Sequence, residues 1–378
     1  MQSIVIAGYA RSPFHPAGRG ALARVRPDDL AAQVIRGLIG KTGVDPAEVE
    51  DLILGCAFPE GEQGLNVARL IGLLADLPIS VGGMTVNRFC GSSMSAIHYA
   101  AGQIAVGAGE VFICGGVESM SRVPIMGFNP LPNPELAKKS AAYMSMGETA
   151  ENVARQYGIG RVEQEALALE SQRRAAAAAS DGKFTDEIVP VETSAGMASA
   201  DGTIRPETTV EGLAALKPAF DANGTVTAGT SSPLTDGAAA VLVTTQDYAC
   251  KHDLPILARI KAVAISGCAP EVMGLGPILS SRKAMQRAGI SVDDLEVVEL
   301  NEAFASQALA CIRDLGLDPA RTNVDGGAIA IGHPLGATGA RLVGKAASLL
   351  KREGGKYALA TQCIGGGQGI ATVLEAVE

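Results

Sequence analysis

The stretch "RAGISVDDLEVVELNEAF", Arg287–Phe304, repeats the pattern of an earlier stretch, "KTGVDPAEVEDLILGCAF", Lys41–Phe58. The two align without a gap 246 positions apart, with five identities that include the paired glycines Gly43 and Gly289. In each copy a helix pattern stops at glycine, an acidic turn follows, and a buried strand leads into a loop. The pair therefore predicts that one structural unit occurs twice in the chain.

Two further pairs occur in the same order. "MTVNRFCGSSMSA" matches "GAIAIGHPLGATG" with Cys90 opposite His333, 243 positions apart. "VFICGG" matches "ALATQCIGG" with Cys114 opposite Cys363, 249 positions apart. One such match could arise by chance, but three in order at nearly equal offsets indicate a duplicated α/β unit.

The segment between the copies has a different composition. It opens with the proline-rich "VPIMGFNPLPNPEL", contains the alanine-rich helix pattern "VEQEALALESQRRAAAAAS", and ends in "DANGTVTAGTSS". The strand "DGAAAVLVTT" then resumes the first unit. We therefore predict an N-terminal half made of residues 1–121 and 233–255, an inserted loop domain over 122–232, and a C-terminal half over 256–378.

The bulk composition excludes several classes of protein. The 378 residues are 47% hydrophobic with a mean hydropathy of +0.22, which is typical of a globular chain with two or three packed units. A net charge of −9 argues against nucleic acid or an anionic membrane as the main partner. No apolar run approaches the roughly 18 residues that cross a bilayer. Neither terminus carries a recognisable targeting signal, so we expect a cytoplasmic protein.

The cysteines and histidines favour free thiols over disulfides or metal sites. Seven cysteines form no CxxC motif, and an odd number in a chain of this size is typical of thiols. The four histidines lie far apart without metal-ligand spacing, so we expect no metal site.

Cys90 is the first candidate for chemistry. A strand pattern, "GGMTVN", precedes it and a small-residue helix pattern, "GSSMSAIHYAAGQI", follows it. A helix N-terminus offers free N–H groups and the positive end of the helix dipole, which favour a nucleophilic thiolate. The alternative is a buried cysteine that only packs. His98, farther along the same helix, is interpreted as a packed residue.

Three other residues stand at comparable places. His333 precedes the matching helix of the second copy, where it would act as the base for Cys90 or simply cap a turn. Cys363 precedes a glycine run that allows close backbone approach, or it is an inert thiol in a tight turn. Asn301 ends the strand "LEVVEL", where its amide would orient a water or carbonyl, or close a turn.

Together the blocks "VNRFCGSSMSA", "NEAFA", "GGAIAIGHPLGATGAR" and "CIGGGQG" resemble the thiolase family, and the similarity extends essentially end to end. The resemblance implies an α/β, five-layered αβαβα fold built from two duplicated βαβαβαββ halves, with a loop domain that binds coenzyme A. It also implies that Cys90 is the acyl-accepting nucleophile, His333 its base, and Cys363 the second thiol that moves a proton on the α-carbon of acetyl-CoA.

The resemblance assigns two oxyanion holes. Asn301, through a water, and His333 match the first, and the backbone N–H groups of Cys90 and Gly365 match the second. Contacts to coenzyme A are implied for a further set of residues: Ser145, Met146, Lys217, Ser232 and Met273. Coenzyme A and acyl-CoA are then substrates, and no metal or organic cofactor is required. Lys217 stands where the family often has arginine, which keeps the charge but loses the planar fork.

The subtype prediction is degradative: a 3-ketoacyl-CoA thiolase (acetyl-CoA C-acyltransferase) of fatty-acid β-oxidation. The short span from Ser121 to Met146, without an evident tetramerisation loop, predicts a homodimer, and Ser145 replaces a histidine usual in biosynthetic enzymes. The alternative is a biosynthetic acetyl-CoA C-acetyltransferase that makes acetoacetyl-CoA. A ketosynthase or a non-catalytic thiolase-like protein fits less well, since Cys90, His333 and Cys363 are all present. Association with a multienzyme β-oxidation partner stays open.

Overall fold

The computed structural model describes residues 2–377. Its strands are β1 (Ile4–Arg11), β2 (His15–Pro16), β3 (Asp51–Gly55), β4 (Gly82–Val86), β5 (Val111–Ser119), β6 (Val191–Thr193), β7 (Gly196–Ala198), β8 (Thr235–Thr245), β9 (Ala258–Gly267), β10 (Leu295–Leu300), β11 (Tyr357–Ile364) and β12 (Gln368–Glu375). Its α-helices are α1 (Pro27–Thr42), α2 (Val67–Leu74), α3 (Ser92–Ala105), α4 (Pro134–Lys139), α5 (Met146–Tyr157), α6 (Arg161–Ser180), α7 (Val210–Ala214), α8 (Gln246–Lys251), α9 (Gly276–Ala288), α10 (Ala305–Leu315), α11 (Ala328–Ile331) and α12 (Leu335–Glu353).

The repeated sequence pattern corresponds to repeated local structure. α1 ends at Gly43 with φ of 74°, and α9 ends at Gly289 with φ of 71°. Glycine adopts this left-handed conformation without a Cβ penalty, so it stops both helices at the same point. A short 3₁₀ turn then leads into β3 in the first copy and into β10 in the second. The prediction of a helix stop, an acidic turn and a buried strand is confirmed in both copies.

The strand order shows the duplication at the level of the sheet. The strands run β10-β11-β12-β9-β1-β8-β5-β3-β4, and β2 pairs with β8. Outward from the centre, β8, β5 and β3 have the same sequence of antiparallel and parallel neighbours as β12, β11 and β10. A bridge between Val298 and Thr322 lies where β4 lies in the other half. Within the sheet of the described residues, the halves join through two residue pairs of β1 and β9.

Five layers follow from what packs on each face. α3 and α12 pack on each other and lie between the strands of the two halves, within one apolar cluster. α1 and α2 cover the outer face of the first half, and α9 and α10 cover that of the second, each with its own cluster. The αβαβα architecture expected from the resemblance is therefore confirmed.

The insertion between β5 and β8 carries α4 to α7 and the hairpin β6–β7. Buried ion pairs tie it to both halves: Arg11 of β1 bonds Glu187 and Asp201, and Lys345 of α12 bonds Glu187. The domain limits given above stay a prediction. Within residues 2–377, none of the helices has the length and apolar character that a bilayer crossing needs.

Candidate functional site

The N-termini of α3 and α12 meet in the central layer. Ala340 of α12 donates its backbone N–H to Ser93 Oγ of α3 at 2.9 Å. A Cβ on Gly339 would lie 2.4 Å from the backbone nitrogen of Met94, so only glycine allows this approach. Cys90 lies just before α3 and His333 just before α12. The two residues matched by the repeat therefore each precede one of two helices whose N-terminal turns are in contact.

His333 is buried, with 4% of its surface exposed. Its Nδ1 lies 2.7 Å from Thr338 Oγ1, and its Nε2 lies 3.3 Å from Asn301 Nδ2. Its backbone N–H donates to Thr235 Oγ1 at 3.0 Å. Burial, with a smaller contribution from the positive charge of Arg341, lowers the pKa of His333 to about 3. The imidazole is therefore neutral and is held at both ring nitrogens.

Asn301 follows the last residue of β10, and its backbone N–H donates to the carbonyl of Thr361 at 3.0 Å. Its Oδ1 is buried and has no hydrogen-bond partner among the described residues. The neighbouring Glu302 fixes the loop, because its carboxylate accepts hydrogen bonds from Ser171 and Asn323. A rigidly placed amide with a free acceptor suits the orientation of a water molecule, which can donate to it.

Cys90 does not have the thiolate environment that its place before a helix predicts. Burial raises the pKa of Cys90 to about 11, while the backbone N–H groups of Gly365 and Cys90 itself act in the opposite direction. These surroundings favour the protonated thiol over the expected resting thiolate, because loss of hydration outweighs what these two donors contribute. The donors beside the thiol do include the two predicted for the second oxyanion hole.

Cys363 lies one residue before the end of β11 and is 1% exposed. Burial, with a contribution from the nearby Cys90 thiol, raises the pKa of Cys363 well above its usual value. Gln362 donates its side-chain N–H to the carbonyl oxygen of Cys90, so β11 is fastened to the residue before α3. The two thiols are brought together, as the resemblance implies.

The five residues expected to contact coenzyme A lie along one side of this site. Met146 and Met273 belong to the apolar cluster that contains Cys363. Ser232 donates its hydroxyl to the carbonyl of Ala303 at 3.1 Å. Ser145 caps α5, and its hydroxyl donates to Glu148 at 2.6 Å.

Lys217 is exposed and lies farther out, three residues before Phe220. The Phe220 ring packs edge-on against Phe304 with centroids 5.9 Å apart. A Cβ on Gly147 would lie 2.1 Å from the Phe220 ring. The start of α5 therefore packs against Phe220, and Lys217 is exposed three residues before this ring in the chain.

Sequence reasoning missed three buried side chains around the site. Thr338 holds the His333 ring, and Gln362 holds the Cys90 carbonyl. Glu118 accepts from the backbone N–H groups of Ala57 and Gly336, and so ties the start of α12 to the first half. Thr338 could have been found, since it lies in the first turns of the helix that "GHPLGATG" begins. Glu118 has no comparable local signal.

His98 is a packed helix residue, as predicted. Its Nε2 lies 2.8 Å from Thr372 Oγ1 of β12, and burial lowers its pKa to about 3. It therefore stays neutral and links α3 to the second half.

Comparisons with known proteins agree with this architecture. The thiolase N-terminal domain family matches residues 4–247, and the thiolase C-terminal domain family matches residues 254–376. The chain is 47% identical over 389 residues to a 3-ketoacyl-CoA thiolase of Bacillus subtilis, with 99% of this chain and 100% of that protein covered. It is 48% identical over 392 residues to a 3-ketoacyl-CoA thiolase of Vibrio vulnificus, with the same shares covered.

Solved structures give the same result. Human mitochondrial 3-ketoacyl-CoA thiolase in complex with CoA superposes with a TM-score of 0.91 and 38% identity, covering 100% of this chain and 98% of that one. The same human protein in a second structure gives a TM-score of 0.92 over 100% and 99% of the two chains. The duplicated halves, the paired helix N-termini and these end-to-end matches show that the chain belongs to the thiolase family.

Proposed function

We propose that the protein is a 3-ketoacyl-CoA thiolase that cleaves 3-oxoacyl-CoA with coenzyme A to give acyl-CoA and acetyl-CoA. The observation that carries the proposal is the convergence of two thiols, the half-buried Cys90 and the buried Cys363, with a neutral imidazole and an amide, His333 and Asn301. Carbon–carbon cleavage through an acyl-enzyme needs one thiol to attack a carbonyl and another to exchange a proton with carbon.

In the first half-reaction the Cys90 sulfur attacks the C3 carbonyl, and His333 Nε2 accepts the thiol proton. Collapse of the resulting oxyanion breaks the bond between C2 and C3, leaving an acyl-enzyme and the enolate of acetyl-CoA. Asn301, through a water, and His333 stabilise the enolate oxygen, and such a donor is typically worth about 3 kcal/mol of transition-state stabilisation. The Cys363 thiol then donates its proton to C2, and acetyl-CoA departs.

In the second half-reaction coenzyme A enters and its thiol attacks the acyl-enzyme. The coenzyme A proton goes to the Cys363 thiolate, which restores the proton given to carbon earlier. The backbone N–H groups of Cys90 and Gly365 stabilise the tetrahedral oxyanion, as their position beside the Cys90 sulfur supports. Collapse releases acyl-CoA, and Cys90 recovers its proton from His333.

Coenzyme A is proposed to lie along the start of α5 and past Phe220. Met146 and Met273 border the thiols, so the reactive end of the pantetheine would pass between them. Lys217 is exposed farther out, where an ammonium group would contact the nucleotide phosphates. The relative position of these groups supports this path from surface to thiol.

The acyl chain is proposed to pass the loop that follows β5. Of its apolar side chains only Val123 is buried, while Ile125, Met126, Phe128 and Leu131 are exposed. Packing of the insertion onto the core therefore does not account for these four. A surface that an acyl chain covers accounts for them, and this supports the degradative subtype over the biosynthetic alternative.

The decisive assay is thiolysis of 3-oxoacyl-CoA substrates from C4 to C16, with condensation of acetyl-CoA measured beside it. Thiolysis with a transient acyl group on Cys90 is the expected result. A decarboxylating ketosynthase would instead condense malonyl-type substrates and show no thiolysis, and a non-catalytic relative would show neither reaction.

We also propose that the protein is a cytoplasmic homodimer. β4 lies at the edge of the sheet, and near it Leu65 and Ile79 are 88% and 79% exposed. A strand whose outer edge is unpaired and has exposed apolar residues nearby is a typical subunit contact. Light scattering should therefore give about twice the 38.5 kDa chain mass, and a tetramer that persists on dilution would contradict the proposal.

A further inference from the structure

Thr338 lies in the second turn of α12, five residues after His333, and is 1% exposed. Its Oγ1 lies 2.7 Å from His333 Nδ1 and 3.1 Å from the carbonyl oxygen of Pro334. A threonine hydroxyl carries one proton and accepts through its lone pairs. If that proton goes to the Pro334 carbonyl, the oxygen is left to accept a hydrogen bond from the ring.

The other ring nitrogen gives the same assignment. Asn301 Nδ2 lies 3.3 Å from His333 Nε2, and an amide nitrogen can only donate. Nε2 must then be unprotonated, so the proton of the neutral ring is on Nδ1. The opposite arrangement would need Thr338 to donate to Nδ1 and the Asn301 amide to be reversed.

We propose that Thr338 is a positioning residue that holds His333 in the neutral Nδ1–H tautomer, so that Nε2, which accepts from the Asn301 amide at rest, is the ring nitrogen that takes the proton of Cys90. The inference rests on the proposed function, because it assigns the form of the base that the acylation step uses. The resting site then contains an uncharged thiol and an uncharged imidazole, and the thiolate forms only as the substrate carbonyl is attacked.

When His333 takes up the proton of Cys90, Thr338 also stabilises the resulting imidazolium. An imidazolium has two N–H donors, and in a buried site each needs an acceptor. Thr338 Oγ1 accepts from Nδ1–H before and after the transfer. The substrate oxyanion accepts from the new Nε2–H, which is where the first half-reaction needs a donor. Thr338 therefore favours both the correct tautomer and the charged intermediate.

The tautomer can be observed directly in the intact protein. The chain has only four histidines, so ¹⁵N-histidine labelling gives a simple long-range ¹H–¹⁵N spectrum, and His333→Asn identifies the signals of His333. A protonated Nδ1 and an unprotonated Nε2 at neutral pH are expected. A protonated Nε2 would overturn the proposal, whether or not the protein proves to be a thiolase.

Kinetics of matched variants test the consequence. In Thr338→Val we expect kcat to fall about 10–100-fold, as when a hydrogen-bond partner behind a functional histidine is removed, with little change in KM. Thr338→Ser keeps the hydroxyl and should recover most of the lost rate. Thr244→Val is the control, because Thr244 is fully buried and its hydroxyl has no hydrogen-bond partner within residues 2–377, so the same substitution there should leave kcat unchanged.

Wild-type kcat in Thr338→Val, or failure of serine to recover the rate, would overturn the positioning role. An absence of thiolysis in the unmodified protein would instead overturn the proposed function and leave the spectrum as the test. If Thr338→Val does not fold, the spectrum of the unmodified protein and the kinetics of Thr338→Ser still decide the matter.

Discussion

The two halves share a frame but place different residues at equivalent points. Cys90 lies before the central helix of the first half, and His333 lies before that of the second. A symmetric pair would give two nucleophiles or two bases. The duplicated frame instead places a nucleophile and a base beside each other, because each half supplies one member of the pair.

The strands behind these helices differ in the same way. Cys114 lies in the middle of β5, which continues to Ser119, and its thiol contacts the carbonyl of Ala96 at 3.6 Å. Cys363 lies almost at the end of β11, where glycines turn the chain into β12. The cysteine of the first half, Cys114, is therefore enclosed in the core, whereas the equivalent cysteine of the second half, Cys363, lies near the Cys90 thiol.

A third pair of equivalent positions, at the ends of β3 and β10, shows why only one half has a functional side chain there. Gly55 of β3 stands where the second half has Asn301. A Cβ on Gly55 would lie 2.4 Å from the backbone nitrogen of Ser93, so a side chain does not fit there. At the end of β10 there is room for an amide with a free oxygen. The two halves therefore have equivalent packed cores. Only the half whose strand end has room for a functional side chain can place one in the site.

The largest effect should follow removal of the nucleophile. Cys90→Ala should lower thiolysis by about 10⁴-fold or more, because no other group can carry the acyl chain. Acetyl-CoA incubation and peptide mass spectrometry should place an acetyl group on Cys90 in the unmodified protein and none in the variant. An acetyl group found only on Cys363 would reverse the roles of the halves.

The next prediction compares the equivalent thiols directly. Cys363→Ala should still accept an acetyl group but lose thiolysis and condensation by about 10³-fold, as expected for loss of a general acid–base group. It should also fail to exchange the α-protons of acetyl-CoA with deuterated water. Cys114→Ala is the control and should keep near-normal rates. Equal losses in both variants would show that the two thiols differ less than their surroundings indicate.

Replacing Asn301 with glycine gives the second half the residue that the first half has at the equivalent position, Gly55. Asn301→Gly removes the amide and should lower kcat about 10²-fold, the usual loss for one oxyanion donor. Acetylation of Cys90 in the half-reaction with acetyl-CoA, measured separately, reports whether the fold and the nucleophile survive. An unchanged kcat would mean that the open strand end has no catalytic use.

The pH dependence of alkylation tests whether the Cys90–His333 pair is uncharged at rest. Because burial raises the pKa of Cys90 to about 11, its thiolate fraction should increase about tenfold per pH unit throughout the neutral range. The rate of iodoacetamide labelling at the Cys90 peptide, followed by mass spectrometry, should rise with that slope. A plateau at neutral pH would instead indicate a thiolate paired with a protonated His333.

Much of this frame could be predicted from sequence because its signals are local. The glycine stops at Gly43 and Gly289 depend on one residue's φ, and the buried strands that follow depend on short apolar runs. The match of Cys90 to His333 then placed two equivalent helix N-termini together. Helix ends, buried strands and equivalent helix N-termini can all be predicted from a sequence repeat alone.

The rest depends on contacts between distant segments. The helix terminus at Cys90 predicts a low pKa, but burial in the folded chain raises the pKa of Cys90. The hydrogen bond between His333 Nδ1 and Thr338 Oγ1 depends on the ring orientation, which sequence spacing does not give. The exposure of Phe128 also could not be predicted from sequence. An apolar loop sequence does not show whether its side chains pack on the core or stay exposed for a ligand.

The smallest effect concerns that exposed loop and the subtype of the enzyme. Each buried methylene is worth about 0.8 kcal/mol, so an acyl chain covered by the loop should lower KM up to about fourfold for each added methylene. The insertion carries this loop, and the second half has no equivalent insertion between β11 and β12, so this preference would depend on one region alone. Phe128→Ser should raise KM for a C12 substrate and leave the C4 value unchanged. Val162→Ser is the matched control, because Val162 is exposed apolar surface at the start of α6, away from the loop. A KM that rises sharply beyond C4 in the unmodified protein would instead indicate an acetoacetyl-CoA enzyme, with the same catalytic residues.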